Sequence, residues 1–456
     1  MNIPKTLTMA RLLARSKAIL RKTTAQIQAI QDEKLRRLLR YAWAHSPYYR
    51  DMWQQAGITE NMLGTVSLSQ LPSITKAELL EHFDRLVTVP GLTQDALRAF
   101  DEAEEPSRTP YLNQYHVVHS SGSTGKPGYF LYDEQAWNAM LVGIIRAALW
   151  DMSMPQIGML LASKPRILFI VATDGRYGGA MAVGDGIESV GASALNLAIK
   201  TPLSEWKNQI EAFQPTMIIG YPSAIKMLSG LVAEKQISMR VSRVVSCGEP
   251  LGVSLRQTLE TAFHAKVINF YGASESLCLG VESNPAEGML LFDDMNIIEA
   301  DETGLYVTCL YNFAQPLIRY RLTDQLRLEA PRESDPYPLT RAHGLLGRSE
   351  DVMWFENPQG QREFLHPLAV EGFCIEGLRD YQFLPHAKDR FDLLVETEPH
   401  ADRANIYAEL VRQIRQILEK TRLSFVDFHI RFVDSIQPDG RTGKKPLVLR
   451  KTRWVV

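Results

Sequence analysis

Between His119 and Gly128 the chain runs through Ser120, Ser121, Gly122, Ser123, Thr124, Gly125, Lys126 and Pro127. Glycines let a backbone approach an anion and present several N–H groups at once, while hydroxyls add donors without a competing charge. The stretch therefore suits a polyphosphate, although ordinary surface turns share its composition. It is not the GxxxxGK-[ST] loop of the commonest nucleotidases: position 120 is Ser where that loop has its first glycine, and Pro127 occupies the place of the metal-binding hydroxyl. Further chemistry-bearing residues follow at intervals. They are Tyr271-Gly272-Ala273-Ser274-Glu275, Asp324 at the end of PLIRYRLTD, Gly347-Arg348-Ser349-Glu350-Asp351, and Gly443-Lys444 near the C-terminal end.

In this order the segments resemble the motifs of the adenylate-forming superfamily, the acyl-CoA synthetases and their relatives. The Leu35–Gly57 stretch LRRLLRYAWAHSPYYRDMWQQAG and the following LPSITKAELL are similar to the N-terminal part of phenylacetate-CoA ligases and CapK-like proteins. The resemblance extends from about Leu35 to about Lys444 and is better at the motifs than between them.

What it implies is activation of a carboxylic acid. The acid attacks the α-phosphorus of ATP, pyrophosphate leaves, and the acyl-adenylate then passes its acyl group to an acceptor. Two anions must meet, so preplaced donors and Mg2+ supply most of the help. By resemblance, Ser120–Lys126 hold the phosphates, and Glu275 holds magnesium on them. Gly248, Glu249, Pro250, Tyr271, Gly272, Ser274 and Arg348 contact the nucleotide, Asp324 accepts from the ribose, and Glu350, beside Arg348, is the hinge. Lys444 reaches both the carboxylate and the α-phosphate. Tyr177, Gly178, Tyr221, Phe270 and Ala273 would line a pocket suited to an aromatic or planar acid. Glu275 also reads as the cap of a helix starting after Ala273, and Lys445 competes with Lys444 by adjacency.

CoA is the acceptor the resemblance favours. The chain departs from that pattern after the hinge, where it reads VMWFENPQG, and at Leu447, where a basic residue is expected. Transfer to an amine, a hydroxyl or a carrier-protein thiol stays open, as does a non-catalytic nucleotide-binding relative.

These residues need a scaffold. Short apolar or β-branched runs at 166–173, 216–221, 242–249 and 266–272 alternate with helix-length segments at 222–234 and 253–263, an α/β pattern in which ligands gather where strands end. Consecutive strands over 288–328 read as a barrel-like β subdomain. Beyond the hinge, Phe391–Glu396, an amphipathic helix carrying Ile406, Leu410, Val411, Ile414, Ile417 and Leu418, and Phe425–Val433 read as a small α+β lid. The implied domains are 1–346, for adenylation, and 347–456, for the lid.

With 50 basic and 52 acidic side chains there is no basic excess to hold nucleic acid. Cys247, Cys278, Cys309 and Cys374 lack a metal or disulfide spacing, which favours a reducing cytoplasm. No run approaches the roughly 20 apolar residues of a membrane span. The first thirty-one residues carry six Lys or Arg and no acid, and read as a basic surface helix rather than a presequence. The oligomeric state is not encoded in any of these features.

Overall fold

The computed structural model describes the chain except residues 1–2, 104–108, 120–127, 172–177, 199–200, 250, 302–303, 323, 325, 333–334, 344–352, 361, 366–372, 374, 437–446 and 450–456. In chain order the strands are β1 Tyr115–His119, β2 Tyr129–Asp133, β3 Arg166–Val171, β4 Ser193–Ala198, β5 Met217–Gly220, β6 Arg243–Cys247, β7 Lys266–Ala273, β8 Ser276–Glu282 and β9 Met289–Leu291. Then come β10 Asn296–Asp301, β11 Gly304–Cys309, β12 Tyr320–Leu322, β13 Arg327–Glu329 and β14 Arg341–His343. The C-terminal part adds β15 Met353–Glu356, β16 Arg362–Leu365, β17 Leu378–Ala387, β18 Arg390–Thr397 and β19 Asp427–Val433.

The expected α/β class holds. A nine-stranded sheet in the order β13-β14-β9-β8-β7-β6-β5-β3-β4 runs parallel from β4 to β7 and antiparallel from β8 onward. Runs such as RILFIV and RVVSC, after their leading arginine, lack a polar–apolar alternation because helices cover both faces of a parallel sheet. The strand-rich stretch 288–328 is divided: β9 and β13 extend the large sheet, while β10, β11 and β12 form a separate three-stranded sheet. Short β9 and β13 find partners on the antiparallel edge, so the large sheet takes them before a closed unit can form.

The basic N-terminal stretch is a helix, Ile3–Ala18, that buries Met9 and Leu13. Its Lys17 Nζ donates to the carbonyls of Leu149 and Trp150, both at 2.9 Å, where the Glu134–Ala148 helix ends and carbonyls lack partners. Burial pulls that ammonium down to about 8. The following helix, Thr24–His45, starts in a capping box of Thr23 and Gln26 and buries Leu35, Leu38, Leu39 and Ala42 at helical spacing.

At the C-terminal end β17, β18 and β19 form a sheet with helix Arg403–Lys420 connecting parallel β18 and β19, and Ile406, Leu410, Ile414 and Leu418 buried as expected. The VMWFENPQG departure makes the hairpin β15–β16, with Gly360 in the left-handed region at its turn. Phe364 of that hairpin meets Trp206 of helix Leu203–Phe213 at 5.7 Å, and Arg422 donates to Ser204 and Glu205 at the start of the same helix. No helix among the described residues is long and apolar enough to cross a membrane.

The core holds one fully buried bidentate ion pair, Arg146 with Asp294 at 2.9–3.0 Å, whose guanidinium lies over the Phe292 ring at 4.1 Å. Asp294→Ala would strand that cation in the core and cost about 3–5 kcal/mol in urea unfolding, whereas Arg146→Met with Asp294→Leu should recover most of the loss. Neighbouring Asp293 accepts from the Thr340 N–H at 2.7 Å, yet burial pushes its carboxyl up to about 6. The folded state then holds the proton more tightly than the unfolded chain. This contribution is complete below the ordinary aspartate value and is lost as pH rises through the folded one. Asp293→Asn should remove a decline of about 2–3 kcal/mol between roughly pH 4 and 6, measured as the difference between wild-type and variant urea profiles.

Candidate active site

The parallel strands β3, β5, β6 and β7 end on one edge of the sheet, and sequence-selected residues follow from these ends. Tyr221 leaves β5 as the residue before helix Pro222–Ala233. Gly248 and Glu249 leave β6 beside it. The Glu249 carboxylate accepts from the Ser223 backbone N–H at 3.0 Å and the Ser223 hydroxyl at 2.8 Å, the favoured place for an anion at a helix start. Gly248 sits at φ +79°, and a Cβ there would fall 2.6 Å from the Tyr221 ring, so only glycine permits that approach. Gly178 opens the Gly178–Ser189 helix after β3.

Phe270, Tyr271, Gly272 and Ala273 close β7, and Ser274 with Glu275 forms a two-residue turn into antiparallel β8. The helix-cap reading of Glu275 is thereby corrected. SLCLGVE after the turn is a buried apolar strand, so Glu275 sits at a hairpin tip with no helix behind it.

This turn is where distant motifs meet. Tyr132 of β2 donates its hydroxyl to the carbonyl of Ser274 at 3.0 Å, with that of Glu275 at 3.3 Å. Tyr271 donates to Asp324 Oδ2 at 3.0 Å. The Tyr320 hydroxyl donates to the Glu275 carboxylate. β1 and β2 pair as far as His119 opposite Tyr129, and the Ser120–Lys126 segment between them lies outside the described residues.

Burial drives the Glu275 carboxyl above the usual range, and the Asp324 charge adds to that while Tyr320 and Lys76 act in the opposite sense. Burial, then Asp324, raises the Tyr271 phenol. Two carboxyl groups drawn together, one of them buried with donors from the Tyr320 hydroxyl and its own backbone N–H, suit a divalent cation. Among the described residues no cluster of three or more His, Cys, Asp or Glu could form a closed metal cage. That set matches magnesium, which takes one or two carboxylates and otherwise phosphate oxygens and water.

Pro250, Tyr177, Arg348, Glu350 and Lys444 lie outside the described residues. The ends of the Lys444 segment are described. Ile436 donates to Glu396 at 2.7 Å, and Leu447 and Leu449 bracket Phe383 of β17 through two 2.8 Å backbone bonds. Leu447, where a basic residue was expected, is partly buried against the C-terminal core.

Sequence reading missed Tyr132, Tyr320 and Lys76. Tyr320 lies inside PLIRYRLTD and Lys76 inside LPSITKAELL, so the motifs contained them; nothing in either motif says which side chain turns toward Glu275.

The model of the AMP-binding enzyme family matches residues 59–303, more than half of the chain. The chain belongs to that family. This AMP-binding enzyme is an adenylate-forming ligase. It is 24% identical to a phenylacetate-coenzyme A ligase of Thermus thermophilus over 84% of its own length and 82% of the relative's. It is 25% identical to the Escherichia coli phenylacetate-coenzyme A ligase over 84% and 83%, and 20% identical to protein CapK of Staphylococcus aureus over 93% and 89%. Among solved structures, the AMP-binding enzyme has the fold of 2-hydroxyisobutyryl-CoA ligase in complex with 2-HIB-AMP and CoA, with TM-score 0.59, 20% identity, and 94% and 90% of the two chains covered. An open conformation of that ligase gives TM-score 0.54 at 18% identity, with 93% and 91% covered.

Gly248→Ala should destabilise the enzyme by about 1–3 kcal/mol, since it combines a left-handed backbone with a clash. In a Tyr221→Ala background the clash disappears, so the same substitution should cost measurably less in thermal unfolding.

Proposed function

We propose that the protein activates an aromatic or planar carboxylic acid with ATP and then transfers the acyl group to the thiol of CoA. The observation that carries this reading is the turn at Glu275: one side chain from the phosphate-loop hairpin and two from the PLIRYRLTD end converge on it and on Tyr271. No ordinary surface turn would need that convergence.

In the first half-reaction a carboxylate oxygen bonds to the α-phosphorus and the bond to pyrophosphate breaks. Ser120–Lys126 donate to the phosphate oxygens, Asp324 accepts from the ribose hydroxyls, and Gly248, Glu249, Pro250, Gly272 and Ser274 border the nucleotide. Magnesium bound through Glu275 would neutralise charge on the phosphates. Lys444, a compact cation, bridges the two approaching anions. In the second half-reaction the thiolate attacks the acyl carbonyl and AMP leaves.

Tyr177, Gly178, Tyr221, Phe270 and Ala273 make up the acid pocket; Tyr221 and Phe270 at strand ends offer ring faces to a planar group. Residues 1–346 form the adenylating domain and 347–456 the lid, with Arg348 and Glu350 between them. CoA as acceptor is supported by the similarity to phenylacetate-coenzyme A ligases. A cytoplasmic setting fits the free thiols Cys247, Cys278 and Cys309.

Acid-dependent pyrophosphate exchange into ATP tests the first half, and a hydroxamate screen across aryl and aliphatic acids finds the substrate. Lys444→Ala should lower exchange by at least about 100-fold if its charge stabilises the transition state. Unchanged exchange would reject that role. Product analysis with CoA, and with amines or carrier protein in its place, decides the acceptor. ATP binding without exchange for any acid would favour a nucleotide-binding relative.

A further inference from the structure

Arg319 is not a glycine, yet its backbone lies in the left-handed region at φ +50°. That conformation is unfavourable for a residue with a side chain, so something must hold it. Its side chain is fastened in three directions: Nε to Glu299 at 3.1 Å, and one terminal nitrogen to the carbonyls of Ser69 at 3.1 Å and Leu71 at 2.6 Å. The backbone is fixed too. Arg319 N–H donates to the Thr308 hydroxyl at 2.9 Å, Ile74 N–H donates to the Arg319 carbonyl at 3.1 Å, and Arg321 N–H donates to the Ile74 carbonyl at 2.8 Å. The residue so aimed is Tyr320. Its ring is 1% exposed and meets Phe130 edge-on at 6.4 Å, and its hydroxyl donates to Glu275.

We infer that Tyr320 is a positioning residue, held by the strained Arg319 against the Ser69–Ile74 segment so that its hydroxyl orients the Glu275 carboxylate toward the metal on the nucleotide phosphates. A ring needed only to fill the core could be phenylalanine and would not require a constrained backbone beside it. The inference rests on the assignment of Glu275 under the proposed function and adds the residue through which that assignment is enforced.

The test is calorimetric titration of ATP into the full-length protein, with no acid present, once with magnesium and once with EDTA. In wild type the affinity ratio between the two conditions reports the metal's contribution. Tyr320→Phe should cut that ratio about tenfold, the worth of a hydrogen bond to a charged group, while leaving the EDTA affinity and the thermal unfolding midpoint near wild type. Arg319→Lys, which keeps the charge and loses the fork, should cut the ratio by a smaller factor. An unchanged ratio in Tyr320→Phe, or an equal loss in both conditions, overturns the inference. Glu275→Gln separates the layers. If it leaves the ratio intact, or wild type has no metal-dependent ratio at all, the assignment of Glu275 falls and this inference with it.

Discussion

Everything at the candidate site hangs on how a two-stranded ribbon is made to stay buried. β1 and β2 form a two-stranded sheet, so β2 presents backbone groups that no third strand takes among the described residues. Side chains do that work. Gln315 accepts from the Leu131 N–H at 2.7 Å and donates to the Tyr129 carbonyl at 3.1 Å, and Asn312 donates to the Leu131 carbonyl at 2.8 Å. Both amides are essentially fully buried, and each lies just before the segment that ends in Asp324. The β1–β2 hairpin and the segment that leads to Asp324, far apart in the chain, are thus fixed to one another by an imitation of a sheet ladder.

The same economy recurs beneath the turn. Ser276 donates to Asn296 at 2.8 Å and meets the Tyr311 hydroxyl at 3.0 Å, and Asn296 donates in turn to the Cys278 carbonyl at 2.7 Å. A buried polar network of this kind specifies one arrangement, because any shift leaves a desolvated donor or acceptor without its partner. Glu275 therefore stands on a rigid base, with Tyr132 and Tyr320 holding it from two sides. Cys247, close by at the end of β6, takes no part: burial and the Glu249 charge push its thiol up to about 12, out of the range of a nucleophile.

How much of this was legible follows from the range of the forces involved. Parallel strands 166–173 to 266–272 and the helices between them are written in local apolar runs, and they emerged nearly as read. The candidate site residues could be chosen as types at a spacing, because anion binding demands glycines, hydroxyls and carboxylates. Contacts were not. Tyr132 reaches across 142 residues to Ser274, and Gln315 across 184 to Leu131, and no local pattern records such a distance. Glu275 was ambiguous for a related reason, since Ser and Glu favour a helix start as readily as a turn, and only the apolar strand behind them decides. The strands of 288–328 were visible singly, but which sheet each would join depends on competition for free edges.

Both ends of the segment bearing Lys444 are tied to the small C-terminal sheet, to Glu396 on β18 and to Phe383 on β17. The turn at Glu275 is rooted instead in the large sheet. The anchors of that segment and the Glu275 turn thus belong to different sheets, so a substitution in the C-terminal sheet can alter how the segment is held without touching the hydrogen bonds around Glu275.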